Sequence, residues 1–197
     1  MKDFNTRTYA LNFSGFSIEV NVNMKLSVDF TNRFNHHGPD FVFAVVEIWL
    51  NQTGVKHLIL PAIRPGNFLE ELKELKKFIS NPPSILGIEE LISCGGWGSW
   101  MVGYWDRIDK ECSTVEDEKL YDLLIPASYD ASKVGDIAVY MYGGKKIFEV
   151  AVRPGEGREA AGTWTEFRSD DLVNQIAHLE NVIASDIRGA LEPRETR

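Results

Sequence analysis

The clearest pattern in the chain is an unbroken alternation of apolar and polar residues from Phe16 to Phe30. This alternation predicts a strand with one buried and one solvated face. Because the run is long for one strand, we expect a bend or a turn near Asn21–Lys25. Directly before it, Ser14-Gly15 has the composition of a two-residue hairpin turn. That turn would place apolar residues opposite each other, so register and pattern agree: Phe13 with Phe16, Leu11 with Ile18, and Tyr9 with Val20.

Two more hairpins are predicted where apolar runs flank a short turn. The first joins "FVFAVVEIWL" to "VKHLILPAI" through Asn51–Gly54, and Pro61 in its second strand indicates a sheet edge or a strand end. The second joins "DIAVYMY" to "KKIFEVAV" through Gly143-Gly144. An amphipathic helix follows each hairpin, with Asn67 as the N-cap of the first and Ser169 as the N-cap of the second.

These two hairpins resemble each other in sequence. "GVKHLILPAIRPG" (Gly54 to Gly66) and "GGKKIFEVAVRPG" (Gly143 to Gly155) share six of thirteen positions at an offset of 89 residues. We interpret them as a duplicated strand–turn–strand–helix unit, with pseudo-repeat halves at about 1–83 and 84–191. The alternative is a chance likeness of two hairpins that each end in a turn.

The overall prediction is an α+β fold, with a mainly antiparallel sheet and two amphipathic helices. Its length of 197 residues fits a single globular domain over 1–197, with 192–197 as a flexible tail.

The segment "SCGGWGSWMVGYWDR" (Ser93 to Arg107) holds three of the five tryptophans and is ambiguous. Its large residues fit helical spacing, but its glycines disfavour a helix. Read as a strand, "SWMVGYW" is apolar on both faces, which indicates a central strand covered on both sides. We therefore expect Trp100 and Trp105 to be buried and Trp97, in the preceding loop, to be more exposed.

Charge and composition exclude several function classes. The net charge is −8, so the average surface repels phosphate backbones and nucleic-acid binding is disfavoured. No apolar run is long enough for a membrane span, and the first residues lack the apolar core of a signal peptide. Two cysteines are too few for a disulfide framework. We expect a cytoplasmic protein of bacterial type.

Cys94 is the one candidate nucleophile, because Gly95-Gly96 follows it and two flexible amides can form an oxyanion hole. A base is also needed, and His57 is a weak candidate that nothing in the sequence places near the thiol. The alternative is a structural cysteine. His36, His37 and Asp40 are a weak candidate metal set, since adjacent histidines rarely both face one ion. No cofactor motif is present, and no cofactor is predicted.

The remaining indication is protein binding. The acids of the segment after the tryptophans form a candidate docking surface for a cationic protein, together with Trp97: Asp109, Glu111, Glu116, Asp117 and Glu118. The simpler reading of these acids is a solvated face. The functional prediction is a non-enzymatic protein-binding domain, in the form of an acidic inhibitor or immunity-type protein for a basic toxin or enzyme. The alternative is a small-ligand-binding protein or an enzyme that uses residues 93–105, with Cys94 and a histidine.

Overall fold

The computed structural model describes residues 5–26, 42–63, 65–85, 88–93, 96–124, 134–155 and 161–191. In these ranges the chain forms two antiparallel sheets and several helices, so the predicted α+β class is confirmed. The predicted tail at 192–197 lies outside the described residues, and so does the candidate metal set His36, His37 and Asp40.

The first sheet, called sheet A, contains four strands in chain order: β1 (Asn5–Phe13), β2 (Phe16–Leu26), β3 (Val42–Gln52) and β4 (Val55–Ile63). The turn at Ser14-Gly15 and the three predicted cross-strand pairs are confirmed. The edge position of the strand that contains Pro61 is also confirmed. The bend or turn predicted near Asn21–Lys25 is wrong, because β2 continues to Leu26 and pairs in constant register with β3.

The second sheet, sheet B, contains β5 (Gly135–Tyr142), β6 (Lys145–Val152) and β7 (Ala161–Glu166) in that order. The turn at Gly143-Gly144 is confirmed, with Tyr142 paired to Lys145. Strand β7 was not predicted, since its residues lie beside a glycine-rich stretch that indicates a loop.

The internal duplication is not confirmed. The hairpin turns Thr53-Gly54 and Gly143-Gly144 are 90 residues apart, whereas the matching residues in sequence are 89 apart. The difference is one residue: β4 has nine residues and β6 has eight. The pairing of β3 with β4 is irregular between Val46 and Trp49, where the extra residue is accommodated.

Five helices complete the described structure: α1 (Pro65–Ser80), α2 (Glu89–Ser93), α3 (Trp97–Asp109), α4 (Val115–Leu124) and α5 (Ser169–Leu191). Helix α1 begins at Pro65 and not after Asn67, because the fixed φ of proline suits the first turn of a helix. The predicted start of α5 at Ser169 is confirmed, and the Ser169 hydroxyl donates to the carbonyl of Ile79 at the end of α1, at 2.8 Å.

Two apolar cores lie on opposite faces of sheet B. The first core joins one face of sheet A, helices α1 and α5, and one face of sheet B. The second core joins the other face of sheet B to α2, α3 and α4. The stacked rings of Phe13 and Phe148, 4.6 Å apart, connect the hairpin of β1 and β2 to β6 in the first core.

Candidate functional site

The tryptophan-rich segment forms helix α3, so the prediction of a central strand for 99–105 is wrong. Its large side chains face the second core at helical spacing: Trp97, Trp100, Met101, Tyr104 and Trp105. Burial of these side chains outweighs the low helix propensity of Gly98 and Gly103, which costs roughly 1 kcal/mol per glycine. Trp100 and Trp105 are buried as predicted.

Trp97 is completely buried, so the prediction of an exposed Trp97 is wrong. As the first residue of α3 it packs under the helix and presents no surface to a partner. Its indole Nε1 has no hydrogen-bond partner among the described residues. The Trp97 side chain therefore cannot contact a binding partner in this structure, and the candidate binding surface does not include it.

Helix α3 starts against a partly buried carboxylate from sheet B. The Gly98 amide donates to Glu149 Oε1 at 3.1 Å, and the Tyr140 hydroxyl donates to Oε2 at 2.5 Å. A Cβ on Gly98 would lie 2.8 Å from Oε1, so only glycine allows this approach. Burial raises the pKa of Glu149, although both hydrogen bonds act to lower it. Burial and the neighbouring Glu149 also raise the pKa of Tyr140.

The Glu149 side chain thus satisfies a free amide at the N-terminus of α3, where negative charge is favourable. Gly96, at the N-cap position, provides no side-chain cap for this helix. A charged residue within a strand usually marks a solvated face or protects an edge, but Glu149 lies on the central strand β6 and bonds to a helix. Nothing in the sequence around Glu149 indicates that a helix from another part of the chain begins beside it.

Aromatic side chains fix the position of α3 over its neighbours. The rings of Trp100 and Tyr104 stack at 5.1 Å, and the ring of Tyr121 in α4 lies 5.2 Å from that of Tyr104. The Trp100 indole donates to Glu90 Oε1 at 3.1 Å. These contacts make α3 and α4 one layer, called the helical cover (Trp97–Leu124), over sheet B.

Two acids of the predicted docking surface form intramolecular ion pairs. Asp117 is buried, accepts two hydrogen bonds from Arg107 and forms a capping box with Thr114 at the start of α4. The bond from Arg107 and the capping bonds hold the pKa of Asp117 below its usual value. Asp109 pairs with Arg153, which follows β6, and this pairing lowers its pKa. Asp117 therefore joins α4 to α3 within the cover, and Asp109 joins the cover to the residue that follows β6.

The other three acids of the prediction are exposed. Glu111 lies in the turn after α3, and Glu116 and Glu118 lie in the first turn of α4. None of them forms an ion pair with a described residue. From Asp106 to Asp122 the chain carries seven acids and three bases, a net charge of −4 against −8 for the whole chain. Half of the net charge is thus concentrated on the helical cover.

Exposed apolar side chains accompany these charges. Of the seven large hydrophobic residues found exposed in the described structure, four lie on the helical cover: Val102, Ile108, Val115 and Leu123. Cys112 is also exposed here as a free thiol, in the turn between α3 and α4. Where exposed apolar residues form a contiguous patch with a charged rim, they mark a protein-binding surface.

Of the remaining sequence candidates, only His57 lies within the described residues. Cys94 lies outside the described residues. His57 is partly buried in β4, opposite Leu50. No group of metal-ligating side chains is found within the part of the chain that the structure describes. In the same part, no helix is long and apolar enough to cross a membrane.

Compared with protein-family models, curated proteins and solved structures, the chain shows no significant match to any of them.

Proposed function

We propose that this protein binds a basic protein through the outer surface of its helical cover. The observation that carries the proposal is the coincidence of acids and exposed apolar residues on one layer. Three acids are exposed there without ionic partners among the described residues: Glu111, Glu116 and Glu118. The same layer exposes the apolar side chains of Val115 and Leu123. Such a surface favours a partner with Lys and Arg side chains around an apolar centre, because charge steers the encounter and apolar burial stabilises the complex.

The specific form of this function that we favour is an inhibitor, of the immunity type, that covers a basic toxin or enzyme. The net charge of −8 supports a role that depends on a basic partner. For the alternative of an enzyme built on residues 93–105, the burial of Trp97 and Trp100 removes the aromatic surface that a ligand would contact.

The test compares two variants of equal net charge. The first neutralises the cover acids (Glu111→Gln, Glu116→Gln, Glu118→Gln), and the control neutralises exposed acids elsewhere (Glu70→Gln, Glu166→Gln, Asp170→Asn). A basic partner is isolated from native lysate on the immobilised protein, and its affinity for each variant is measured at several salt concentrations. We expect the cover variant to bind about tenfold more weakly, with a smaller dependence on salt, and the control to bind as the unchanged protein does.

Cys112 provides an independent readout, since its exposed thiol lies in the middle of the proposed surface. Alkylation of Cys112, followed by peptide mass spectrometry, should slow when the partner is bound. The proposal is wrong if no basic partner is obtained. Equal weakening by the two variants, or an unchanged alkylation rate in the complex, would also contradict it.

A further inference from the structure

The sheets have four outer edges, and at three of them a described residue from another element bonds to the backbone of the edge strand. At the β1 edge, the Asn12 amide donates to Gln175 Oε1 of α5 at 3.0 Å. At the β4 edge, the Ile59 carbonyl accepts from the Val134 amide at 2.9 Å, and Pro61 lacks an amide hydrogen. Covered or blocked edges prevent pairing with another chain.

The β5 edge is covered by a short parallel bridge from the segment after α1. The Ile85 amide donates to the Met141 carbonyl at 3.0 Å, and the Met141 amide donates to the Pro83 carbonyl at 2.7 Å. Strand β7 forms the fourth edge. It pairs with β6 on one side. On its other side no other described element bonds to its backbone, and the Glu166 carbonyl accepts at 3.2 Å from the hydroxyl of its neighbour Thr165.

The register of β7 shows which of its backbone groups point outward. The Phe167 amide donates to the Lys146 carbonyl at 3.1 Å, which makes these two residues a hydrogen-bonded pair. Because such pairs alternate along an antiparallel ladder, Thr163 and Thr165 bond to β6. The amides and carbonyls of Gly162, Trp164 and Glu166 therefore point away from sheet B.

This edge also lacks the usual protection against pairing. Its sequence, "AGTWTE", contains neither proline nor lysine, and its one charge, Glu166, pairs with Lys145 at 2.5 Å. The Trp164 side chain is 59% exposed on the same strand, the largest exposed aromatic group of the described structure. An unprotected edge with an exposed tryptophan is typical of a surface that another strand covers.

We propose that β7 pairs antiparallel with β7 of a second copy of this protein, about a twofold axis at Trp164. The sequence of β7 is complementary to itself in this register. Trp164 lies opposite Trp164 of the partner subunit, and Thr163 lies opposite Thr165 of the partner subunit. Glu166 lies opposite Gly162 of the partner subunit, so no like charges face each other.

A second copy fits this edge better than the basic partner proposed above. The single charge of β7 is already paired, so the edge has no free charge that would favour a basic partner. The self-complementary register instead favours a second copy of the same strand. Pairing joins the two copies of sheet B into one six-stranded sheet. The contact is small, and each copy carries a charge of −8, so we expect a weak dimer with a Kd on the order of 100 µM.

Salt separates this inference from the proposed function. Screening weakens the repulsion between two acidic copies, so dimerisation should become stronger with salt, whereas binding of a basic partner should become weaker. Sedimentation equilibrium over a range of salt concentrations measures this. The variant Trp164→Lys should remain monomeric, and the control Tyr142→Lys, an exposed aromatic on the same sheet away from this edge, should dimerise as before.

Disulfide trapping tests the register directly, in a background where Cys94 and Cys112 are replaced by alanine. Trp164→Cys should form a covalent dimer on oxidation, since each residue at this position faces its own copy. Thr163→Cys alone should not, but a mixture of Thr163→Cys with Thr165→Cys chains should. A protein that stays monomeric at about tenfold above the expected Kd overturns the proposal. So does self-crosslinking of Thr163→Cys, or an edge occupied by a different protein. Circular dichroism confirms that each variant is folded.

Discussion

The two sheets differ in how many of their faces are buried, and the difference explains which parts of the chain can be predicted. Sheet A packs one face on α1 and α5. Its other face carries polar ladders in which Thr6 bonds to Asn23 and Thr8 bonds to Asn21. In sheet B, β5 is buried on both faces from Gly135 to Tyr140. Burial on one side produces alternation in the sequence, and burial on both sides removes it.

The largest expected effect comes from removing a tryptophan beside each sheet. Trp100→Ala should lower the free energy of unfolding by about 3–5 kcal/mol, because it empties a fully buried site and removes the stacking on Tyr104. Trp49→Ala, on the polar face of sheet A, should cost less than half as much, because Trp49 is only partly buried. Urea unfolding of both variants measures the difference. Equal losses would show that the polar face of sheet A is covered as well as sheet B is.

A smaller effect is expected from the ion pair that joins the two helices of the helical cover. Asp117→Asn removes the charge that Arg107 and the start of α4 bind, and should cost about 1–3 kcal/mol. The control Asp106→Asn removes an exposed pair with Lys110 one helical turn away, and should change stability by less than about 0.5 kcal/mol. Thermal unfolding followed by tryptophan fluorescence separates the two. If Asp117→Asn were as mild as its control, α3 and α4 would be held together by their apolar contacts alone.

The parts of the fold that were predicted correctly are those where one local signal was sufficient. The alternation of β2 and the turns Ser14-Gly15 and Gly143-Gly144 were enough to give strand pairs and register. The helix starting at Ser169 was also clear, because its apolar residues recur at helical spacing beside a polar face.

The errors fall on segments whose structure depends on distant residues. In α3, apolar residues dominate, so the helical and strand patterns fit about equally well, and the glycines favoured the wrong one. Two features outside the segment favour the helix. Its large side chains pack against sheet B, and the Glu149 carboxylate, 51 residues away in sequence, accepts a hydrogen bond from the Gly98 amide. Trp97 is buried for the same reason. For the candidate surface, the sequence was enough to predict a concentration of acids. It could not predict that Asp109 and Asp117 form intramolecular ion pairs, because the positions of their partners, Arg153 and Arg107, depend on the fold.

The smallest expected effect concerns two glutamates, one on each sheet, whose titrations should oppose each other. Burial raises the pKa of Glu149 above its ordinary value of 4.5, so between 4.5 and the raised pKa the folded state binds a proton more readily than the unfolded state does. Hydrogen bonds from Lys56 and Asn51 lower the pKa of Glu19, so its contribution to stability is present above 4.5 and is lost as pH falls through the lowered pKa.

Glu149→Gln and Glu19→Gln isolate these contributions. As pH falls from about 7 to about 4.5, the unchanged protein should gain stability relative to Glu149→Gln. As pH falls further, to about 3, it should lose stability relative to Glu19→Gln. Urea unfolding of the three proteins across this range gives both differences. Two slopes of the same sign would mean that Glu149 is as solvated as Glu19, and that the buried face of sheet B does not extend to the start of α3.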